Sequence, residues 1–310
     1  MVEKAFHMNF PLVSITITTK NEEANIGTCL KSIKAQSYGN IETIVVDNHS
    51  VDRTQDIARS FTDKVFDKGP ERSAQRNFGM MQVAKGDYLM FIDADMILAP
   101  DLIGDCVERL NRQDAVALHI PEIVLGTNFW SRVRRFERSC YDGTVIDGVR
   151  FCRRDVFLRI AGFDESLTGG EDWDLDKKIK QVGSIALLDG QRRGDPGHPW
   201  ELAAFIRERG GDPDGCRAAI FHNEADFRFV EYLRKKNYYA NWLAAYARKW
   251  GCDDADIRKQ LGFGYRYFGV FLENGKWKRL LGNPALSAGM YTLRFLVGLV
   301  YLFKKDAAEV

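Results

Sequence analysis

Tyr88-Leu89-Met90-Phe91-Ile92-Asp93-Ala94-Asp95 is the stretch that decides the fold. Residues 88–92 are apolar or aromatic and read as a short strand buried on both faces. The strand stops on two carboxylates separated by one residue. Open α/β sheets bind ligands beyond the carboxyl ends of their strands. Hard cations take oxygen ligands, and Mg²⁺ is commonly held by one or two carboxylates plus substrate phosphates. Paired Asp residues also cap helices and make turns, and Pro100 suits the start of a following helix. The motif therefore gains meaning only from its neighbours.

Those neighbours alternate between strand and helix. Residues 12–18 are β-branched and alternating, so they form a strand. Residues 22–36 carry Ile26, Leu30 and Ile33 at helical spacing. A second strand at 41–47, a short helix at 52–60, a short strand at 65–66 and a helix at 73–84 complete the run into residue 88. Such a rhythm with short connections builds a parallel sheet with helices on both faces. Strands ending at Thr18, Asp47 and Asp93 line up three polar ends along one edge. Beyond Pro100 the reading gives a helix, a strand at 115–120, a basic helix at 130–141, a strand at 149–152 and a helix at 171–181. Residues 190–215 are rich in Gly, Pro and Arg and read as a surface excursion around a helix at 200–209. From Phe227 onward only helices are expected.

The chain has 310 residues, 45% hydrophobic and 28% charged, which permits a sizeable globular core. Its net charge of +1 gives no global attraction to nucleic acid. The balance hides an asymmetry: residues 228–310 hold 15 Lys/Arg against 7 Asp/Glu. Six cysteines, with no CxxC pair and no metal-ligand spacing, point to free thiols in a reducing, cytosolic compartment. The N-terminus lacks the features of a secretory signal.

A second carboxylate cluster lies in Gly169-Gly170-Glu171-Asp172-Trp173-Asp174-Leu175-Asp176. Acids in a first helical turn stabilise its positive end. Four acids in six residues exceed that need, and a carboxylate facing the Asp93/Asp95 pair across a cleft could act as a general base. His222 follows the apolar run 218–221, at another strand end. It is either a third metal ligand or a diphosphate contact, unless it is merely a hydrogen-bonding residue.

Six motifs now stand in order: residues 13–23 (Val-Ser-Ile-Thr-Ile-Thr-Thr-Lys-Asn-Glu-Glu), 45–50 (Val-Val-Asp-Asn-His-Ser), 74–77 (Ala-Gln-Arg-Asn), 86–95 (Gly-Asp-Tyr leading to Asp-Ala-Asp), 161–165 (Ala-Gly-Phe-Asp-Glu) and 170–175 (Gly-Glu-Asp-Trp-Asp-Leu). Together they resemble the family 2 inverting glycosyltransferases, which have the nucleotide-sugar-binding GT-A fold. The resemblance covers about residues 11–225. It implies a Rossmann-like mixed α/β sheet with helices on both faces over 1–226, with a donor half near 11–100 and an acceptor half near 101–226. Residues 227–310 would be a helical extension. It also implies that Thr18, Thr19, Asn21 and Glu23 touch the nucleotide and that Asp47 and Asn48 hold the base. Arg76 would line the base and diphosphate pocket. Asp93 and Asp95 would bind Mn²⁺ or Mg²⁺, with Asp95 the direct ligand, and Asp172 would be the catalytic base beside Glu171 at the acceptor edge. His222-Asn223-Glu224 resembles a His-x-Glu segment that closes the site in many members. Three departures are visible: Asn48 where a second Asp is usual, Thr18 where Pro is common, and Lys20 where an aromatic is common.

In such a site a cation neutralises charge on the departing diphosphate while a base takes the acceptor's hydroxyl proton. The expected donor is a UDP-sugar. A base implies a hydroxyl acceptor, here a saccharide or lipid-linked saccharide, since a polyprenyl phosphate is already an anionic nucleophile. Transfer to such a phosphate and non-catalytic sugar-nucleotide binding are the alternatives. A haloacid-dehalogenase-type phosphatase would place Asp-x-Asp on its first strand, and a pyrophosphorylase would open with a Gly-rich loop. Neither pattern is present.

Residues 284–303 are apolar and about long enough to cross a bilayer, which takes ~20 residues. Arg294 in their middle makes spanning costly. Residues 232–250 are basic and aromatic, a composition suited to helices lying in a headgroup layer. The expectation is a protein peripheral on the cytoplasmic face of the membrane. A helical cap on the catalytic domain, or a dimer interface, would give the same composition.

Overall fold

The computed structural model describes residues 10–190, 200–216, 218–224 and 227–307, with side chains excepted at 235–242 and 300–307. Ten strands are described: β1 (Val13–Thr19), β2 (Ile41–Asp47), β3 (Val65–Asp67), β4 (Tyr88–Asp93), β5 (Met96–Leu98), β6 (Ala117–His119), β7 (Glu122–Val124), β8 (Val149–Arg153), β9 (Ile185–Leu187) and β10 (Ile220–His222). Seven form one sheet in the order β3-β2-β1-β4-β8-β6-β9. The expected parallel run holds from β3 through β4. β8 then enters antiparallel to both β4 and β6, so the whole sheet is mixed.

The alternation of β1 explains the two layers. Val13, Ile15 and Ile17 point into a core shared with the helix Ile26–Lys34 and the helix Leu102–Asn111. Ser14, Thr16 and Thr18 point the other way and are also buried. Small polar residues suit that face because a helical run packs unusually close to it. A Cβ on Gly79 would sit 2.4 Å from Thr16 Cγ2, so only glycine fits there. This run is an α-helix, Arg72–Asn77, continued by a π-helix, Phe78–Val83. Ile44, Val46, Leu89 and Phe91 pack beneath it with Phe157 and Leu175 in the second core layer.

A small second sheet, β5-β10-β7, stands beside the first. β5 begins directly after Asp95 and pairs antiparallel with β10, setting His222 opposite Met96. This pairing brings the end of β10 to the end of β4.

The helices after Phe227 pack onto the body through two clusters. Tyr246 and Ala247 join Leu167 and Ile257, with Trp173 alongside. Val270, Phe271, Met290 and Leu293 pack on Val133 and Phe136 from the helix Phe129–Arg138 and on Tyr141 in the turn after it. Tyr246 is buried and donates to Gln260 Oε1 at 2.8 Å, and Trp250 Nε1 donates to Asp174 at 2.7 Å, so the described end of the 232–250 stretch faces protein and not lipid. Arg294 is buried too, 3.0 Å from Glu137 and 4.5 Å from the Phe271 ring, so the helix Pro284–Ala307 is held against the body. Among the described residues no helix is long and apolar enough to cross a membrane. Residues 191–199 of the Gly/Pro/Arg-rich excursion lie outside the described residues. The helix Ala203–Glu208 confirms its centre.

Candidate active site

Arg76 is the hub of the site. Its side chain is 1% exposed, and its two terminal nitrogens point to different carboxylates. One is 3.2 Å from Asp93 Oδ1 at the end of β4. The other is 2.9 Å from Asp172 Oδ1 and 3.9 Å from Glu171 Oε1, at the start of the helix Glu171–Lys180. The guanidinium also lies over the rings of Phe91 and Phe163, at 4.7 and 5.2 Å. The two acid clusters read from sequence therefore share one floor. A forked, always-charged side chain is suited to this bridging.

Asp93 accepts a further hydrogen bond from Thr18 Oγ1 at 3.0 Å. Proline, the usual residue at that position in the resembled family, could not donate it. Burial pushes the Asp93 carboxyl up, but Arg76, Arg72, Arg150 and His222 outweigh burial and hold it well below the usual range. Glu171 is shifted the other way. Burial raises it first and the charge of Asp172 second, against the pull of Arg72 and Arg76. Arg72, one helical turn before Arg76, reaches Glu171 Oε1 at 2.9 Å.

Asp95 sits in the turn between β4 and β5. Its Oδ2 is 3.1 Å from His222 Nε2, and its backbone oxygen accepts from Asn223 N at 2.9 Å. Its Oδ1 is buried with no hydrogen-bond partner. Burial disfavours the charged imidazole, but Asp95, then Glu224 and Glu122, raise His222 to about 9. An orphaned carboxylate oxygen beside an imidazole is a donor set that fits a divalent cation. Asp93 is instead engaged by Arg76 and Thr18. No three His, Cys, Asp or Glu among the described residues converge into a ready-made cage. A cation at Asp95 and His222 would draw its remaining ligands from substrate oxygens and water, as Mg²⁺ often does.

The expected nucleotide residues form the rim on the β1–β2 side. Asn21 has φ 53°, and its Oδ1 accepts from Val51 N at 2.9 Å. Glu23 accepts from Arg53 N at 3.1 Å, which ties the loops after β1 and β2 together. Asp47 is fully buried and accepts from Ser50 N and Gln55 Nε2 at 2.7 and 2.8 Å, so here it braces its own loop. Asn48 Nδ2 donates to Pro70 O at 2.6 Å. A carboxylate at 48 would face a carbonyl, which accounts for the amide there. Thr19 Oγ1 is buried without a partner. Its backbone oxygen accepts from Gln75 Nε2 at 3.3 Å, and the same nitrogen donates to Val46 O at 2.7 Å.

Three contributors escaped sequence reading: Arg72, Gln75 and Arg150. The first two lie within five residues of Arg76 on one short helix, and that spacing was the available signal. Arg150 on β8 had none. It is 8% exposed, donates to Glu122 Oε1 at 2.9 Å and lies 5.3 Å from the Phe91 ring. Its NH1 has no partner. Gly148, two residues earlier, leaves room for Asp172: a Cβ there would lie 3.2 Å from Asp172 Cβ. Next to Asp95, a cavity of about 500 Å³ opens among Asn25, Asn223, Glu224, Arg209, Phe227 and Tyr232.

Residues 14–163 match the family model described as glycosyl transferase family 2. A protein of Haemophilus influenzae described as an uncharacterized glycosyltransferase is 37% identical over 121 residues, covering 36% of this chain and 47% of that one. A Rickettsia typhi protein of the same description is 28% identical over 193 residues, covering 56% and 60%. The chain thus spans about half the length of the curated relatives it matches. A mannosyltransferase of Pyrobaculum calidifontis, solved with GDP-Man and Mn²⁺, is similar in structure with a TM-score of 0.57 at 18% identity, covering 96% of this chain and 89% of its own. The fold is that of the GT-A glycosyltransferases.

Proposed function

We propose that the protein transfers a sugar from a nucleoside-diphosphate donor to a hydroxyl of a saccharide acceptor, with inversion at the anomeric carbon. The observation that carries this reading is the Arg76 bridge, which joins the strand-end Asp93 and the Asp172 carboxylate through one buried guanidinium. A binding protein needs no carboxylate facing the acceptor side. A direct displacement does, because the attacking hydroxyl must lose its proton.

In this reading the loops after β1 and β2 seat the nucleoside, with uridine the expected base. The diphosphate extends toward Asp95. A divalent cation held by Asp95 and His222 would neutralise charge on the diphosphate as it departs. Arg76, with Arg150 behind it, supplies fixed positive charge on the opposite side. Asp172, with 32% of its side chain exposed, is reachable from the acceptor side and receives the hydroxyl proton. Glu171, its proton affinity raised, keeps a second full negative charge from crowding the base. The acceptor approaches through the cavity beside Asn223, where Phe227 and Tyr232 offer aromatic faces and Arg209 a guanidinium. A base at this position favours a sugar hydroxyl, free or carried on a lipid, over a carrier phosphate. The six unpaired cysteines support a reducing, cytoplasmic setting.

The test is release of nucleoside diphosphate from a panel of UDP-, GDP- and dTDP-sugars with Mn²⁺, using wild type and Asp172→Asn. Turnover of at least one donor by wild type alone supports transfer. Tight donor binding with no turnover, even with saccharide acceptors supplied, would favour a binding protein.

A further inference from the structure

Twelve large apolar side chains stand exposed among the described residues, and seven of them fall between Leu261 and Phe295. Phe263, Phe268, Leu272, Trp277, Leu281 and Phe295 are 45–73% exposed. They lie on the helical segments from Ala255–Leu261 to Pro284–Ala307. Phe268 and Leu272 are four residues apart, as are Trp277 and Leu281, so each pair shares a helix face. The outcrop is braced from beneath. Phe263 stacks on Tyr267 at 4.3 Å, and Phe268 lies 6.3 Å from Tyr291. The Tyr267 hydroxyl donates to Arg294 O at 2.8 Å. Arg294 itself is buried against Glu137. These aromatic side chains are thus held outward by a fixed base.

The charges around them are mainly positive. Over those segments, residues 255–307, the sequence has nine Lys/Arg and three acids, Asp256, Glu273 and Asp306. Glu273 is itself occupied, accepting from Tyr265 at 2.9 Å and lying 3.8 Å from Lys276. Lys259, Lys278 and Arg279 are exposed. Lys278 stands 5.9 Å from the Trp277 ring, so cation and aromatic face the same region. Exposed apolar surface rimmed by charge marks an interaction site. A second copy of this chain would set cations against cations, which opposes a symmetric pairing. A surface with an apolar interior and anionic head groups matches both features.

We propose that this face docks on the surface of an anionic lipid bilayer. Phe263, Phe268, Leu272, Trp277, Leu281 and Phe295 enter the boundary between head groups and acyl chains, and Lys259, Lys278 and Arg279 meet the phosphates. The protein lies on the membrane without crossing it. This docking does not rest on the sugar-transfer reading.

The test is flotation of the full chain with two kinds of vesicle, pure phosphatidylcholine and equal parts phosphatidylcholine and phosphatidylglycerol. Wild type should float with the anionic vesicles and stay behind with the neutral ones. The double substitutions Phe263→Ser/Phe268→Ser and Lys259→Gln/Lys278→Gln should each weaken that binding roughly tenfold or more. Their thermal midpoints should match wild type, because the altered side chains are exposed. Failure of wild type to float with anionic vesicles overturns the proposal. So does unchanged binding by both variants when both are folded. A concentration-dependent dimer in light scattering that the Phe variant abolishes, without vesicle binding, would assign the face to self-association instead.

Discussion

Arg76 and Asp172 meet at 2.9 Å across the floor of the cleft, although 96 residues separate them in sequence. The pair has a chemical consequence. Asp172 Oδ1 accepts from Arg76, so it is free to take another hydrogen only when Arg76 is drawn elsewhere. The anionic diphosphate of a donor is the natural competitor for that charge. In the proposed function, binding order would then be built into the site, with the donor arriving before an acceptor hydroxyl can meet Asp172.

Removing the acceptor-side carboxylate should separate binding from turnover. Asp172→Asn keeps the shape and loses the proton acceptor. Transfer should fall about 10²- to 10⁴-fold, with nucleotide affinity nearly unchanged by calorimetry. Equal loss of donor binding would mean that Asp172 holds substrate and is not the base.

Asp95→Ala should remove the Mn²⁺-dependent part of nucleoside-diphosphate binding and leave the metal-free part intact. Titration of UDP or GDP with and without Mn²⁺ reads this directly. Metal-enhanced binding that survives the substitution would assign the cation to other groups.

The hub itself should be costly to break. Arg76→Met leaves Asp93 and Asp172 without their shared partner and should destabilise the fold by ~3–5 kcal/mol. Arg76→Lys should recover part of the loss but not the two-way bridge. Denaturant unfolding gives both numbers.

Gly148→Ala adds one methyl 3.2 Å from the Asp172 side chain. The fold should survive, since glycine has no unusual backbone angle at this position. The base should shift by a few tenths of an ångström, lowering kcat with little change in donor KM. A change confined to donor KM would contradict this placement.

Glu122 should make stability sensitive to acid. Burial pushes its carboxyl up, but Arg138, Arg150 and the nearby His222 prevail and lower it from 4.5 to about 2. A depressed carboxylate stabilises the fold above its unfolded pKa and loses that contribution as pH falls through the folded one. The window is therefore pH 4.5 down to about 2, and the contribution is about 3 kcal/mol. Glu122→Gln should be less stable at neutral pH and should flatten the loss across that window. Unfolding free energies across a pH series test it.

The strongest periodicities were legible in the sequence. Strands β1, β2 and β4 have six or seven residues each, enough for their apolar pattern to show. β5 and β7 have three each, too few to carry a period, so the second sheet stayed invisible. The acid clusters could be read because carboxylates at strand and helix ends are unusual. Their connection through Arg76 was not read, since nothing in local sequence says which carboxylates a buried arginine will bridge. The basic aromatic stretch at 232–250 was ambiguous for a related reason. Composition reports that Tyr246 and Trp250 are amphipathic, but not whether protein or lipid covers them. The described end of that helix is covered by the body, and the exposed aromatic side chains lie further along.

The pairing of β5 with β10 joins segments far apart in the chain, and Asp95 and His222 are 127 positions distant. A ribosome that has released β4 has delivered one half of that corner and not the other. The nucleotide loops can therefore settle early, while the corner beside Asp95 stays open until β10 emerges. Maturation of this centre is a late, long-range closure, and a chain cut short before residue 220 would keep most of its main sheet but lack the clasp.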